Sequence, residues 1–379
     1  MTQPFSSDFL RAKLERPTWV EIDSEAIRSN IASLRRRLPA STRFMAVVKA
    51  EAYGHGAIGV AHAAESAGAA MLGVATPYEG QLLRAAGIEL PIVILSPVLP
   101  QQAASVAENR LTPCITSLET ARALSGTGTQ VHVKVNTGMN RAGIEPDETI
   151  EFLRAVRAIE GVEVEGVFSH FAGSDDPDRT SAYDQFDRFE LLLRELRAAE
   201  LRPPIAHISN SGAIIDMPEM SLDMVRAGIA MYGLYPSLTV SRLVKLVPAL
   251  SWKSHVIETR RLTAGARVSY SGTWVAPRET TVALMPVGYA DGLRRALSSK
   301  GEVLVRGKRR RIAGRVCMDL TVIDCDSADV EPGDEIVLIG RQGDEVITAE
   351  DQAEWIGTNN YEVTTQITYR VPRRIQEIS

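Results

Sequence analysis

Apolar residues recur along this chain with two different periods, and the change from one to the other divides it. From residue 44 to about residue 232, eight short apolar runs alternate with segments of helical spacing. They are FMAVVKA from 44, MLGVAT from 71, PIVILS from 91, LTPCIT from 111, QVHVKVNT from 130, VEVEGVFSHF from 162, IAHISNS from 205 and DMVRAGIAMYG from 223. Near-continuous apolarity is what a strand needs when helices cover both of its faces, so these runs predict a buried parallel sheet. The spacers supply the helices: Ile27, Ile31, Leu34 and Leu38 recur at spacings of three and four, as do Phe186, Phe189, Leu193 and Leu196. Eight strands alternating with helices predict an α/β fold, an N-terminal (β/α)8 TIM-type barrel.

After Pro236 the helical period fades, and residues from about 246 to 379 are rich in strand formers broken by the turns PRET, EPGD and GRQGD. The expected division is residues 24–240 as the barrel, with 1–23 and 241–379 as a mostly β domain. TWVEID, residues 18–23, is expected to pair with the later sheet.

Composition narrows the class without naming it. Hydrophobic residues make up 45% and charged residues 23% of 379 residues, enough apolar material for a large core and a smaller one. A net charge of −5 gives no reason to expect nucleic acid. The one basic run, Lys308 to Arg311, falls between apparent strands and is read as a solvated hairpin tip. The N-terminus lacks a basic segment followed by an apolar core, and no apolar run reaches membrane-spanning length, so a cytoplasmic protein without membrane association is expected. Cys114, Cys317 and Cys325 form no CxxC pair and have no histidines at zinc spacing, so reduced thiols and no metal are expected.

Barrel enzymes place their chemistry at the carboxyl ends of strands and in the loops that follow. Lys49 ends the first run behind AVV, an apolar approach that favours the neutral amine a nucleophile or imine-former requires. A strand-end lysine reaching to solvent reads the same in isolation. Polar residues gather at other strand ends: Arg141 beyond the fifth run, His170 on the sixth, Asn210 and Ser211 ending the seventh and Arg226 within the eighth. An arginine inside a buried strand is costly unless paired. His170 is a candidate partner, although an ordinary core histidine fits equally well. NSGA and RAGIAMYG suit a phosphate: Gly212 and Gly228 allow close backbone approach, Ser211 offers a hydroxyl, and the Gly228 and Ile229 amides complete a cradle. A lysine, a phosphate cradle and a buried arginine on one barrel face suggest pyridoxal 5'-phosphate.

Nine segments in order, AVVKAEAYGHG, VKVNTGMNRAG, VFSHF, HISNSGA, VRAGIAMYGLYP, VSYSGTW, PVGYADG, GRVCMDLTVID and NYEVTTQITYRVPR, span nearly the whole chain. Together they resemble the alanine racemase family of fold-type III pyridoxal-phosphate enzymes. The resemblance implies racemisation of L-alanine and D-alanine, with D-alanine supplied for peptidoglycan synthesis in the cell wall. It implies that Lys49 carries the cofactor and then serves as one of two bases, acting on D-alanine, while Tyr270 acts on L-alanine. Lysine and tyrosine side chains ionise near pH 10, so both need help near neutrality (about 10 for each). Arg226 is implied at the cofactor's pyridine nitrogen, supported by His170. Tyr53, Ser211, Gly228, Ile229 and Tyr361 are implied at its phosphate, and Arg141 and Met318 at the substrate. Lys134 matches a lysine that some members carry as a carbamate, and Tyr289, Arg295 and Arg315 match an approach corridor. The family implies a head-to-tail homodimer with shared active sites, Tyr270 and Met318 coming from the other subunit.

The chain departs from the family pattern at Glu51, where Asp or Asn is common, at Asn136, where Asp is common, and at Ser271, where Gly is common. None removes a catalytic group. Serine or another small amino acid fits a site shaped for alanine. A barrel-type amino-acid decarboxylase is the competing enzyme class, against which SYSGT and CMDLTVID speak. A carrier of the cofactor with no activity would have no use for the β domain or Tyr270.

Overall fold

β1 (Thr18–Asp23) leads into α1 (Ser24–Arg35), and eight parallel strands then close into a barrel. They are β2 (Arg43–Val47), β3 (Met71–Val74), β4 (Ile92–Pro97), β5 (Thr112–Ile115), β6 (Thr129–Lys134), β7 (Val162–Phe168), β8 (Ile205–His207) and β9 (Met224–Ala227), with β9 returning to pair with β2. The protein is described from a computed structural model that covers residues 16–326 and 330–376. Each barrel strand is short because apolar side chains must cover both faces, and the runs end where polar residues begin. Met45, Met71, Val93, Ile205 and Met224 draw one buried side chain from each of five strands into a single apolar cluster. This is the packed interior that a barrel of this size requires.

The covering helices follow the apolar period. In α1, Ile27, Ile31 and Leu34 are buried, whereas Leu38 lies beyond the helix end. α2 (Ala57–Ser66) follows β2, and α3 (Pro77–Ala85) follows β3. α3 begins with a capping box in which Thr76 and Glu79 satisfy each other's backbone amides, with Pro77 at the first helical position. α4 (Ala103–Glu108), α5 (Leu118–Ala123) and α6 (Thr149–Arg157) continue the alternation. α7 (Thr180–Ala198) buries Phe189, Leu193 and Leu196 and leaves Phe186 half-buried. α8 (Ser211–Asp216) starts at Asn210, whose side chain accepts the Ala213 amide at 3.2 Å. Ser24–Ala52 and Gly56–Pro248 form this unit.

The second unit gathers the described residues up to Asp23, the short segment Tyr53–His55 and the described residues from Ala249 onward. Its strands are β10 (Leu250–His255), β11 (Glu258–Leu262), β12 (Arg267–Val268), β13 (Trp274–Val275), β14 (Thr280–Met285), β15 (Glu302–Val305), β16 (Lys308–Arg311), β17 (Thr321–Asp324), β18 (Glu335–Gln342), β19 (Glu345–Ile347) and β20 (Arg373–Gln376). The main sheet runs β16-β15-β18-β10-β1-β20, with β19 on β18. β1 therefore pairs antiparallel with β10 and parallel with β20, the pairing expected of TWVEID. β10 alternates buried and half-buried positions, as a strand covered on one face does.

The basic run is not a hairpin tip. Lys308 to Arg311 is itself the edge strand β16, and the turn before it is Arg306–Gly307, both residues having positive φ. Four cations on an edge strand discourage pairing with another chain, and Arg309 is held by Glu302 at 3.3 Å and Glu345 at 3.0 Å. Among the described residues no helix is long and apolar enough to cross a membrane.

Candidate active site

Lys49 stands two residues past β2, where the backbone does something the sequence does not announce. Ala50, Glu51, Ala52 and Tyr53 have φ of 52°, 53°, 52° and 54°, a left-handed turn built without glycine. Left-handed helical geometry costs roughly 1–2 kcal/mol per L-residue, so the surroundings must hold it. Glu79 supplies one restraint. Its Oε1 accepts the Ala50 amide at 2.7 Å, while its Oε2 accepts the Ala75 amide at 2.7 Å and the Thr76 amide at 3.1 Å. The α3 cap thus fastens the residue next to Lys49.

Burial, followed by the charge of Arg141, pushes the Lys49 pKa down against the smaller opposing pull of Glu79. Lys134, at the end of β6, is lowered to about 8 by burial and then by Arg226. Its Nζ sits 4.7 Å over the Phe168 ring. Arg226 lies inside β9 beside Met45 of β2 and is 3% exposed. Burial and then Arg141 lower its pKa to about 9, and it stays protonated at neutral pH. Lys49, Lys134, Arg141 and Arg226 therefore share one field, each felt by at least one other. The Cys114 thiol, pushed up to about 12 by burial, stays neutral beside them. Such a cluster favours anionic ligands.

Arg226 is paired, and by more than the expected histidine. Its Nη2 donates to His170 Nδ1 at 2.9 Å, to the Ser169 carbonyl at 2.8 Å and to the Ile208 carbonyl at 2.9 Å, while Nη1 donates to His207 Nδ1 at 2.7 Å. His170 lies two residues beyond β7 rather than on it. Burial, then the Arg226 charge, holds both histidines far below their usual pKa, so both are neutral. His207 was legible only as part of HISNSGA; its place on β8, next to β9, is what brings it to Arg226.

Around Ser211, where a phosphate cradle was expected, the hydrogen bonds run differently from the expectation. Ser211 Oγ accepts the Gly228 amide at 2.9 Å and the Ala230 amide at 3.3 Å, so the Gly228 amide is already engaged. The Ser211 hydroxyl keeps its own proton to donate. A side chain at Gly212 would bring its Cβ to 3.0 Å from Ser174 Oγ, a close approach that Ser174 would have to yield to.

The Arg141 loop is closed by a bridge between Val135 and Ile144. Asn136 holds it from inside: its Nδ2 donates to Asn140 at 2.9 Å and Glu145 at 2.7 Å, and its Oδ1 accepts the Asn140 amide at 2.9 Å. An aspartate would bring no donor and would repel Glu145, so Asn136 and Glu145 form a matched pair. Arg141 itself is exposed.

The remaining expected residues belong to the second unit. The Tyr53 and Tyr361 rings lie 6.0 Å apart, and burial raises the Tyr53 pKa. Tyr270 is 71% exposed and Met318 53% exposed. Tyr270 projects from a turn in which Ser269 and Ser271 have φ of 64° and 62°. A left-handed residue at 271 explains why glycine suits that position. Tyr289 and Arg295 line one surface cleft with Arg294 and Gln366.

The donor set fits pyridoxal phosphate. The Nε–H of Arg226 donates to no described protein group, which leaves a cationic donor for an unprotonated ring nitrogen. Lys49 has the lowered pKa an imine-forming amine needs, and Ser211 has a proton for a phosphate oxygen.

Residues 22–236 match the alanine racemase N-terminal domain family and residues 249–375 the alanine racemase C-terminal domain family. An alanine racemase of Halothermothrix orenii is 42% identical over 371 residues, 96% of this chain and 98% of that protein. The structure of alanine racemase from Clostridium difficile 630 superposes with a TM-score of 0.92 at 35% identity, covering 96% of each chain. Histidine racemase from Leuconostoc mesenteroides superposes with a TM-score of 0.89 at 29% identity, covering 96% of this chain and 99% of that one.

Proposed function

The chain belongs to the alanine racemase family, and from that premise we propose that it interconverts L-alanine and D-alanine with pyridoxal 5'-phosphate as cofactor. The observation that carries this reading is the cationic cluster at the barrel strand ends, where Lys49 has a lowered pKa and the buried Arg226 presents an unspent Nε–H. Pyridoxal phosphate, when bound, supplies the electron sink that stabilises negative charge left at the substrate Cα.

Lys49 would hold the cofactor, and as a free amine it would take or return a proton at Nζ on one face of Cα. Burial and the Arg141 charge lower its pKa, which favours the neutral amine that acts as a base. Arg226, a cation held in place by His170 and His207, would face the ring nitrogen and keep it unprotonated. An unprotonated ring nitrogen would withdraw fewer electrons, so Arg226 would favour return of a proton to Cα over stray chemistry at the cofactor. Ser211 would donate its hydroxyl to the phosphate, with Ile229, Tyr53 and Tyr361 also proposed to hold it, while the Gly228 amide stays bonded to Ser211 Oγ. Arg141 orients the substrate carboxylate, for which a forked cation is suited.

Racemisation needs a second proton donor and acceptor on the opposite face, and Tyr270 is the proposed group. Its exposure supports a role completed by a partner subunit in a homodimer, with Met318 beside the substrate. Activity per subunit then falls when the protein is diluted below the dimer dissociation constant. Constant specific activity in a verified monomer would contradict this arrangement. Lys134 as a carbamate would present a negative group to Arg141, and an intact mass lacking the added carboxyl group would oppose that assignment. The proposed setting is cytoplasmic, with D-alanine supplied to peptidoglycan.

The histidine racemase likeness gives substrate breadth a specific footing. Incubation with L-alanine, L-serine or L-histidine, following optical rotation and carbon dioxide together, separates the possibilities. Loss of rotation for alanine without gas supports the reading; gas release indicates a decarboxylase, and faster loss for another amino acid reassigns the substrate.

A further inference from the structure

The histidine beneath Arg226 does not end the hydrogen-bond chain. His207 Nε2 lies 2.9 Å from His132 Nδ1, and His132 Nε2 lies 3.1 Å from Glu165 Oε2. Both imidazoles are fully buried, and the Glu165 side chain is 14% exposed. All four residues come from adjacent barrel strands, β6, β7, β8 and β9.

The direction of every bond is forced. Arginine has donors and no acceptor, so the bond to His207 Nδ1 requires that nitrogen to be bare. A neutral His207 then carries its proton on Nε2 and donates it to His132 Nδ1, which must also be bare. His132 in turn carries its proton on Nε2 and donates to Glu165. The relay needs a terminal acceptor, because without one a buried N–H is stranded and the alternative tautomers become competitive. A reversed His207 would set an N–H against the guanidinium.

The packing keeps this line of rings in register. Opposite His132 on β7 stands Gly166, where a Cβ would meet the His132 ring at 2.6 Å. The next inward residue, Phe168, stacks on His207 with ring centres 4.8 Å apart and planes 6° from parallel. The Arg226 guanidinium lies 5.4 Å from the centre of the same Phe168 ring.

We propose that Glu165 is a positioning residue: as terminal acceptor of a one-way hydrogen-bond relay from Arg226 through His207 and His132, it fixes both histidine tautomers and thereby the guanidinium orientation that leaves Nε–H unspent. The proposal rests on the racemase reading for its catalytic consequence, but the tautomers it requires belong to the protein alone.

The chain has six histidines, so selective ¹⁵N-histidine labelling gives a tractable set of ring signals. In the wild-type protein His207 and His132 each show a protonated Nε2 and a bare Nδ1. Glu165→Leu shifts both rings and lowers kcat about tenfold with little change in KM. Glu165→Gln keeps an acceptor oxygen and restores both readouts, whereas Gly166→Ala displaces His132 and reproduces the leucine phenotype with Glu165 intact. A protonated Nδ1 on wild-type His207 overturns the relay. So does a fall in kcat for Glu165→Leu with His207 signals unmoved, which would mark a merely structural role. Correct tautomers that respond to Glu165→Leu, in a protein that racemises no amino acid, would uphold the relay and overturn the functional reading instead.

Discussion

The barrel unit and the β unit hold their candidate catalytic groups in opposite ways. Arg226 is buried and engaged by His170, His207 and two carbonyls, and Lys49 follows a strand and is itself followed by Ala50, whose amide is pinned by Glu79. Tyr270, by contrast, stands 71% exposed on a turn shaped by two left-handed serines. The barrel groups acquire their chemistry from burial and from one another. Tyr270 is left exposed by its own unit, which suits the proposed completion of the site by a partner subunit. Substitutions in the barrel should therefore alter stability and titration along with activity, whereas those at Tyr270 should alter activity alone.

The largest effect is expected at Lys49. Lys49→Ala should reduce kcat by about 10³-fold or more and abolish the absorbance of lysine-bound cofactor, read by spectrophotometry and a coupled assay. Persistence of that absorbance would overturn the cofactor assignment. Tyr270→Phe should slow α-hydrogen exchange from L-alanine by about 10²-fold while exchange from D-alanine continues, measured by proton NMR in deuterium oxide. Its melting temperature should stay unchanged, because an exposed ring contributes little to the fold (within about 0.5 kcal/mol). A large loss of stability would break the contrast between the two units.

Lys134 tests the barrel side through pH. Its pKa falls from 10.5 to about 8 on folding, so between those values the unfolded chain binds more protons than the folded one. Stability should rise with pH across that window, and Lys134→Met should flatten the rise in denaturant titrations. A wild-type protein lacking the rise would indicate that the amine is already capped, as a carbamate would do. The smallest effect is expected at the left-handed turn. Ala50→Gly relieves strain but loosens the unfolded chain, giving a net gain of about 0.5 kcal/mol in chemical denaturation.

How much of this was legible in the sequence follows from which forces act locally. The eight apolar runs mark the barrel because a strand covered on both faces has to be apolar throughout. LSWKSH alternates because β10 is covered on one face. The basic run misled because charge density resembles a turn, whereas an edge strand tolerates the same residues with Arg306–Gly307 making the bend. Lys49, Arg226 and His170 were visible as polar residues where apolar ones were due. The turn Ala50–Tyr53 was not, since nothing in AEAY favours positive φ and its restraint by Glu79 comes from 29 residues away. His132, Glu165 and His207 were hidden for a similar reason: their partners lie 33 and 75 residues apart, and only the barrel register joins them.

The account turns on two opposed bases, and the hydrogen that arrives at Cα tests it most directly. L-alanine is incubated with the holoenzyme in deuterium oxide, and the earliest D-alanine formed is isolated and weighed for deuterium. Removal by one group and delivery by another predicts D-alanine carrying solvent deuterium from the first turnovers while unreacted L-alanine keeps its proton. D-alanine that retains the substrate's own hydrogen, or no D-alanine at all, would contradict it.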